Sequence, residues 1–425
     1  MKVLKINGGK TLSGTVRISG SKNASVALIP AAILADDEVT ICNVPEITDT
    51  DALTEILKYL GADVKRASES ILIDPKPIVN KEIPEEMSNK LRASYYFMAV
   101  LLAKFKHVEM YFPGGCAIGA RPIDQTLKGF EALGAKIKEE NNKYTIDADE
   151  LTGAHVYLDM PSVGATINTM LVAVKAKGET IIENAAKEPE IVNVATFLNN
   201  MGAKITGAGT SEIRIKGVET LKGCYTEVIP DRIESGTYII AGALMGNYLK
   251  IDNIIPEHVE TLILKLKEMG VDMEVGADYI YVSKKDKMKP VHIKTLGYPG
   301  FPTDLQQPIT ALLTQCEGES VLQETVYENR FKNVPYLNSM GANITQKQDT
   351  IYIKGKTKLQ GKTVEATDLR AGACLVLAGL VAEGTTTIRN IGPVLRGYEN
   401  IIEKLNEIGA DVKIVCLLYT SDAAD

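Results

Sequence analysis

The chain has 425 residues, a formal net charge of −7 and a hydrophobic fraction of 45%. This length allows two to four domains with sizeable cores, and the lack of any Lys/Arg block leaves no electrostatic footprint for nucleic acid or a membrane surface. The six cysteines form no CxxC pair and show no metal-ligand spacing, and the sequence has no signal-peptide pattern and no apolar run long enough to span a membrane. These features predict a cytoplasmic protein with reduced thiols.

Six similar phrases recur along the chain, and each closes a predicted amphipathic helix. The helix before the first phrase places Leu53, Ile56, Leu57 and Leu60 on one apolar face. The glycine of each phrase then ends the helix, because glycine tolerates the left-handed conformation. An alternating hairpin follows, as in AKITGAGTSEIRIKG. The sequence therefore predicts six copies of a unit of roughly 70 residues, whose glycines are Gly61, Gly134, Gly202, Gly270, Gly341 and Gly409.

The other half of each repeat contains a second helix that is apolar on nearly every face. In chain order these segments read SVALIPAAILA, RASYYFMAVLLA, GATINTMLVAV, SGTYIIAGALM, LQQPITALL and AGACLVLAGLVA. Such helices belong in a core. We therefore predict an α/β fold of two inside-out barrel domains, with buried helices and with sheets outside them.

The two ends of the chain are predicted to meet in one domain. The segment IRIKGVETLKG resembles the N-terminal LKINGGKTLSG, and the last repeat lacks a hairpin strand that the first strand can supply. We expect a discontinuous domain of residues 1–20 and 230–415, and a second domain of residues 21–229 that carries the loop around Cys116. Residues 416–425 match no part of the repeat, which predicts a non-native tail.

Basic residues begin several of the buried helices, where the helix dipole disfavours positive charge. Their repetition predicts convergence on an anion, assisted by free backbone N–H groups. The alternative is that each arginine pairs with a neighbouring acid such as Asp231, Asp368 or Glu234. The basic residues are Lys22, Arg92, Arg232 and Arg370, joined by Arg121 and Arg396 from loops before other helices.

A cysteine and an aspartate are further candidates. Cys116 lies in the glycine-rich stretch PGGCAIGARP beside Arg121, and nearby cations favour the reactive thiolate. The alternative for a free cysteine is a small buried hydrophobe, as we expect of Cys374. Asp304 precedes the helix LQQPITALL, where it is either a functional carboxylate or a plain N-cap. The four histidines form no triad or metal spacing, and neither a Walker nor a Rossmann motif is present.

Long motifs in this order resemble those of the enolpyruvyl transferases that act on UDP-N-acetylglucosamine. They are GSKNA, LRASYYFMAVLLA, PGGCAIGARPID, SVGAT, PDRIESGTY, GYPGFPTDLQQP, ETVYENRF, LRAGACLVLAGL and IGPVLRGYENI. The resemblance implies transfer of the enolpyruvyl group of phosphoenolpyruvate to the sugar 3-hydroxyl with release of phosphate, the step that opens peptidoglycan synthesis. It implies no metal and no organic cofactor. Two alternatives stay open: a transferase that uses shikimate phosphate, which shares fold and donor, and a non-catalytic repeat scaffold.

Carried over by motif, the resemblance also assigns roles to single residues. Lys22, Arg121 and Arg396 would hold phosphoenolpyruvate. Cys116 would donate a proton to the enol carbon and could also attack it covalently. We further predict that fosfomycin alkylates Cys116 and that Asp304 accepts the proton of the sugar hydroxyl. We also predict substrate contacts for Asp231, Arg232, Arg330, Asp368 and Arg370, while the oligomeric state stays open. The nucleotide-sugar site would be lined by Asn23, Arg92, Arg121, Pro122, Ile123, Asp124, Gln125, Ser162, Val163, Gly164, Asp304 and Val326.

Overall fold

The computed structural model describes residues 2–114 and 123–416. The predicted site residues Cys116, Arg121 and Pro122 lie outside the described residues, as do residues 417–425 of the predicted tail. Within the described ranges the chain divides into two compact units, of residues 2–18 with 230–416 and of residues 19–114 with 123–229. The first division thus falls after residue 18, where the sequence placed it after residue 20.

The described chain contains fourteen α-helices and four short 3-10 turns. Short 3-10 turns cover Ala32–Leu34, Arg92–Tyr95, Pro256–Val259 and Thr303–Leu305. The α-helices of the described chain are α1 (Lys22–Ala31), α2 (Thr48–Leu60), α3 (Glu85–Ser88), α4 (Tyr96–Phe105), α5 (Asp124–Ala132), α6 (Val163–Ala173), α7 (Pro189–Asn200), α8 (Arg232–Met245), α9 (Glu260–Met269), α10 (Gln306–Leu313), α11 (Val334–Ser339), α12 (Leu369–Val381), α13 (Gly392–Leu395) and α14 (Ile401–Glu407).

Short strands lie between the helices. The strands of the described chain are β1 (Lys2–Asn7), β2 (Thr15–Arg17), β3 (Val39–Cys42), β4 (Asp63–Ala67), β5 (Ser70–Asp74), β6 (His107–Tyr111), β7 (Lys136–Glu140), β8 (Lys143–Asp147), β9 (His155–Tyr157), β10 (Glu179–Glu183), β11 (Lys204–Thr206), β12 (Glu212–Lys216), β13 (Tyr225–Glu227), β14 (Leu249–Asp252), β15 (Asp272–Val275), β16 (Tyr279–Ser283), β17 (His292–Lys294), β18 (Gly318–Gln323), β19 (Asn343–Lys347), β20 (Thr350–Gly355), β21 (Thr363–Glu365), β22 (Thr385–Arg389) and β23 (Asp411–Cys416).

The predicted apolar helices form the cores. Helices α8, α10 and α12 occupy the centre of the first unit, and α1, α4 and α6 that of the second. Every residue from Arg370 to Leu380 in α12 is buried, as is every residue from Ala165 to Ala173 in α6. The two apolar clusters are separate, so each unit buries its own hydrophobic surface. The prediction that these helices are buried is confirmed.

The repeated glycines end the second set of helices, which lie nearer the surface. Helices α2, α5, α7, α9, α11 and α14 each stop at or just before one of them. All six glycines have φ between 88° and 110°, the left-handed region that a side chain would strain. At Gly61 the backbone N–H donates to the carbonyl of Leu57 at 3.1 Å, so the turn also satisfies a helix-end carbonyl.

Five of the six sheets in the described chain have one topology. Each four-stranded sheet joins a short parallel edge strand to an antiparallel set of three. The sheets stay separate from one another in the described chain, so the α/β prediction is confirmed but the hydrogen bonding closes no barrel. The strand orders are β21-β22-β1-β23, β15-β16-β14-β2 and β17-β18-β20-β19 in the first unit, and β11-β12-β10-β9, β13-β3-β5-β4 and β6-β8-β7 in the second.

The first strand completes the sheet of the last repeat. Strand β1 pairs antiparallel with β23, with Lys2 opposite Cys416 and Asn7 opposite Asp411. The side-chain amide of Asn7 also donates to the Asp411 carboxylate at 2.8 Å. Cys416, the first residue of the predicted tail, is thus the last residue of β23, and the non-native origin of the tail stays a prediction.

Candidate active site

In the first unit the buried helices carry charged side chains at their N-terminal ends. Arg232 is the first residue of α8, and Arg370 is the second residue of α12. Asp304 lies in the turn Thr303–Leu305 that leads into α10. Because α10 packs against both α8 and α12, the starts of these helices approach one another and bring these residues together.

The Asp304 carboxylate is held between two guanidinium groups. Its Oδ1 accepts from Arg330 Nη2 at 2.6 Å and its Oδ2 from Arg370 Nη2 at 3.0 Å. The side chains of Arg330 and Arg370 are 4% and 6% exposed, whereas that of Asp304 is 25% exposed and open to a ligand. Burial alone would raise the pKa of Asp304, but Arg370 and Arg330, with Arg232 nearby, hold it well below its usual range. The carboxylate is therefore ionised at neutral pH.

The N-cap alternative for Asp304 is wrong. Neither the turn that contains Asp304 nor α10 has a side-chain cap, because the two arginines engage the carboxylate. Asp231 and Asp368 are the caps, each accepting two backbone N–H groups at the start of α8 and α12. The alternative that Arg370 pairs with neighbouring Asp368 is also wrong, since its guanidinium reaches across to Asp304.

Tyr398 is a member of this cluster that the sequence analysis missed. Arg370 Nη1 donates to the Tyr398 hydroxyl at 3.1 Å, and that hydroxyl lies 2.9 Å from the Thr237 hydroxyl. Tyr398 is 2% exposed, and burial raises its pKa although Arg370 opposes the shift. It follows Arg396 in the motif VLRGYE, so its place in that motif was a usable signal. Arg396 itself lies at the C-terminal end of α13.

In the second unit Lys22 is paired with an acid that the sequence analysis also missed. Lys22 is the first residue of α1, and Asn23 is the second. The ammonium of Lys22 lies 3.0 Å from Oδ2 of Asp49, with side-chain exposures of 18% and 7%. Asp49 comes from the first turn of α2. The pair balances the lysine charge that the helix dipole disfavours.

Tyr95 links two of the predicted sugar-binding segments of the second unit. The Arg92 guanidinium lies 5.7 Å from the centre of the Tyr95 ring. A Cβ at Gly164 would lie 1.8 Å from the Tyr95 hydroxyl, so only glycine allows this approach. Ser162 begins α6 as its N-cap and accepts from the backbone of Ala165 at 3.2 Å. The structure thus brings Arg92 and the start of α6 together.

Four further predicted residues differ in their surroundings. Gln125 bonds to both the backbone and the side chain of Asp159, which ties the start of α5 to the segment before α6. Asp124 is the first residue of α5. Ile123 is 4% exposed and packs in the core, so its side chain is not available for contact. Val326 is 42% exposed in the first unit, where its side chain is available for contact.

Residues 2–114 and 123–416 contain neither a cluster of metal ligands nor a membrane-spanning helix. No three His, Cys, Asp or Glu side chains in these ranges are arranged to hold a metal ion. No helix in them has both the length and the apolar character that crossing a membrane requires.

Comparisons with known proteins define the class. The family described as EPSP synthase (3-phosphoshikimate 1-carboxyvinyltransferase) matches residues 6–405. An enolpyruvyl transferase, NikO from Streptomyces tendae, has a similar structure with a TM-score of 0.89 and 28% identity, over 97% of this chain and 99% of that one. An EPSP synthase from Acinetobacter baumannii shares the fold with a TM-score of 0.76 at 20% identity, over 97% of this chain and 99% of that one.

Sequence relatives are more similar still. A UDP-N-acetylglucosamine 1-carboxyvinyltransferase 2 from Listeria innocua is 54% identical over 409 residues, which cover 96% of this chain and 97% of the relative. The protein of the same name from Bacillus subtilis is 52% identical over 413 residues, which cover 97% of this chain and 96% of the relative. The chain belongs to the EPSP synthase family of enolpyruvyl transferases.

Proposed function

We propose that this protein transfers the enolpyruvyl group of phosphoenolpyruvate to the 3-hydroxyl of UDP-N-acetylglucosamine and releases phosphate, as an early cytoplasmic step of peptidoglycan synthesis. The observation that carries the proposal is the Asp304 carboxylate, ionised by Arg330 and Arg370 and open on one side. The high identity to relatives with this activity in their names supports the choice of acceptor.

The reaction consists of an addition and an elimination. The acceptor oxygen bonds to C2 of phosphoenolpyruvate while C3 gains a proton, which gives a tetrahedral intermediate. The C2–O bond to phosphate then breaks and C3 loses a proton, so the product is an enol ether and inorganic phosphate. Protonation of C3 builds positive character at C2, which a positioned acid assists. We assign that acid to Cys116, and no metal or organic cofactor takes part.

Asp304 serves the acceptor in this scheme. The two arginines keep its carboxylate ionised and so able to accept a hydrogen bond from the sugar hydroxyl. The same charges lower its affinity for a proton, so it accepts the proton only as the hydroxyl oxygen bonds to C2 and becomes strongly acidic. Fixed arginines beside a reacting centre also need no rearrangement during the reaction.

Three cations serve the donor. Phosphoenolpyruvate carries a carboxylate and a phosphate, and a departing phosphate is stabilised by fixed positive charges and free helix-end N–H groups. We assign this role to Lys22, Arg121 and Arg396. Lys22 supports the assignment, since it begins α1 and its ammonium is positioned by Asp49.

Replacement of Lys22 by alanine should weaken binding of the donor far more than binding of the nucleotide sugar. A hydrogen bond to a charged group contributes about 1.5–3 kcal/mol, so we expect a loss of roughly ten- to 150-fold in phosphoenolpyruvate affinity. Calorimetry with each ligand measures the two affinities. Lys136→Ala is the control, because that exposed lysine pairs with Asp149 on the surface of the same unit. Equal losses for both ligands in Lys22→Ala would contradict the assignment.

The proposed function is tested by identifying the product. The protein is incubated with phosphoenolpyruvate and UDP-N-acetylglucosamine, and the nucleotide sugar is analysed by mass spectrometry. We expect its mass to rise by that of one enolpyruvyl group, with one phosphate released per adduct. Phosphate release without an adduct would overturn the proposal.

A further inference from the structure

Four repeats share one hydrogen bond at the end of a sheet. An asparagine directly follows the strand next to the parallel edge strand, with a left-handed φ between 53° and 60°. Its side-chain amide donates to the carbonyl one residue past the edge strand, at 2.8 Å in every case. This bond fastens the edge strand to its sheet. The pairs are Asn43 with Val228, Asn184 with Leu158, Asn253 with Ile18, and Asn390 with Ala366.

Glu324 occupies the same position in the fifth repeat, directly after β18. The backbone pairing is unchanged, since Thr295, one residue past β17, donates its N–H to the carbonyl of Gln323 at 2.9 Å. The side-chain bond is reversed. A carboxylate only accepts, and here the Thr295 hydroxyl donates to Oε1 of Glu324 at 2.9 Å. The other four repeats have an aliphatic residue in place of this threonine.

The Glu324 carboxylate does more than replace the asparagine amide. Its Oε1 also accepts the backbone N–H groups of Val326 and Tyr327, at 2.8 and 3.2 Å. Its Oε2 accepts the hydroxyl of Thr303 at 2.8 Å. Glu324 is only 3% exposed, and all four partners are neutral groups. Burying a carboxyl group costs more free energy than burying an amide, and an amide fastens the edge strand in the four other repeats. The need to fasten the edge strand therefore does not by itself account for this glutamate.

The bonds of Glu324 connect it to the two residues of the first unit that we assign to the acceptor, Asp304 and Val326. Thr303 precedes Asp304, and its hydroxyl accepts from Arg330 Nη1 at 2.8 Å. Because that hydroxyl gives its one hydrogen to Glu324, its lone pairs face Arg330, which in turn holds Asp304. The bond to the N–H of Val326 fixes the start of the loop that presents the exposed Val326 side chain.

We propose that Glu324 is a positioning residue for the nucleotide-sugar acceptor. It orients Asp304 through Thr303 and Arg330, and it fixes the backbone at Val326, without touching the substrate itself. The inference rests on the proposed function, since it takes the nucleotide sugar as the ligand of Asp304 and Val326. The donor contacts are assigned to other residues, so phosphoenolpyruvate binding does not depend on Glu324.

The test is steady-state kinetics of Glu324→Gln and Glu324→Ala with each substrate varied in turn. Glutamine keeps one acceptor oxygen, so we expect its KM for UDP-N-acetylglucosamine to rise about three- to tenfold, and that of the alanine variant about ten- to 100-fold. The KM for phosphoenolpyruvate should stay within about twofold in both. Glutamine thus partly rescues the alanine defect, and titration of the nucleotide sugar alone should show the same order of affinities.

Asn338→Ala is the matched control in the same repeat. Its amide bonds to both the N–H and the carbonyl of Ile344, at 2.9 Å each, and contacts no predicted site residue. This variant should lose stability while both KM values stay unchanged. Combining Glu324→Gln with Asp304→Asn should give less than the product of the single effects on nucleotide-sugar affinity, because one residue acts through the other.

The outcomes separate the two proposals. Wild-type protein is assayed first, and failure to form the enolpyruvyl nucleotide sugar would overturn the proposed function together with this inference. If the wild type forms it, unchanged KM values in both Glu324 variants, or equal increases for both substrates, would overturn the role of Glu324 alone. Where the alanine variant fails to fold, the glutamine variant decides.

Discussion

Asp304→Asn lowers turnover per folded molecule by about two to four orders of magnitude, the range expected when a group that accepts a proton is removed. Asparagine can still accept a hydrogen bond from the sugar hydroxyl but cannot take its proton. It also leaves the buried guanidiniums of Arg330 and Arg370 without their shared counter-charge. Turnover is therefore measured together with the folded fraction, by stopped phosphate-release assays and denaturant melts.

The stability of this variant should depend on pH in a defined direction. The pKa of Asp304 is lower in the folded protein than the usual unfolded value of about 3.9, so its ionised form stabilises the fold. The stability advantage of the wild type over Asp304→Asn is therefore present above about pH 4 and is lost as the pH falls through the folded-state pKa. Glu234→Gln is the control for the loss of a buried carboxylate, since it removes one that pairs with Lys404 at 2.7 Å.

Wild-type turnover in folded Asp304→Asn would contradict the assignment and remove Asp304 from the mechanism.

Cys116→Ala lowers turnover by a similar factor, about two to four orders of magnitude, if its thiol protonates C3. Cys116→Asp should retain measurable turnover, because a carboxyl can also donate a proton. Both variants should escape alkylation by fosfomycin, an epoxide phosphonate, in which the thiolate opens the epoxide ring and forms a C–S bond. Peptide mass spectrometry after treatment identifies the labelled cysteine.

Three of the five described cysteines should resist this labelling. Burial raises the pKa of Cys316 and of Cys374 to about 12, and that of Cys224 to about 11, so these three hold little thiolate at neutral pH. Cys416 is exposed at the end of β23 and should react with a maleimide. It serves as an internal control, since an anionic epoxide should favour a site with cations. Fosfomycin labelling of another cysteine, with Cys116 unmodified, would contradict its role.

The repeat architecture was predictable from the sequence because its signals are local. Helical periodicity and the glycine that ends the helix lie close together in the sequence, and this combination recurs six times. The pairing of β1 with β23 was also predicted, because the last repeat lacks one hairpin strand and the first strand of the chain can supply it. The sequence predicted barrel domains but not how their sheets meet, because the pattern shows which face of a strand is buried and not whether neighbouring sheets join edge to edge; in the described chain they stay separate.

The contacts of the site residues were less predictable. Asp304 pairs with Arg330 and Arg370, which lie 26 and 66 residues away. No local rule pairs Arg370 with Asp304 in preference to Asp368, which is close to Arg370 in the sequence. Asp49 was missed for the same reason, since only the packed helices bring it to Lys22. Tyr398 stands in a quoted motif, but only the folded chain shows that it contacts Arg370. Glu324 is a partial exception: its departure from the asparagine of four other repeats is visible in the sequence once the repeats are aligned.

The central claim is the choice of acceptor, and phosphate release from phosphoenolpyruvate with two acceptors tests it most directly. The kcat/KM is measured with UDP-N-acetylglucosamine and with 3-phosphoshikimate under the same conditions. A site built to bond one acceptor discriminates by about 10⁴-fold or more, so we expect turnover with the nucleotide sugar and none detectable with 3-phosphoshikimate. Equal or faster turnover with 3-phosphoshikimate would contradict the account.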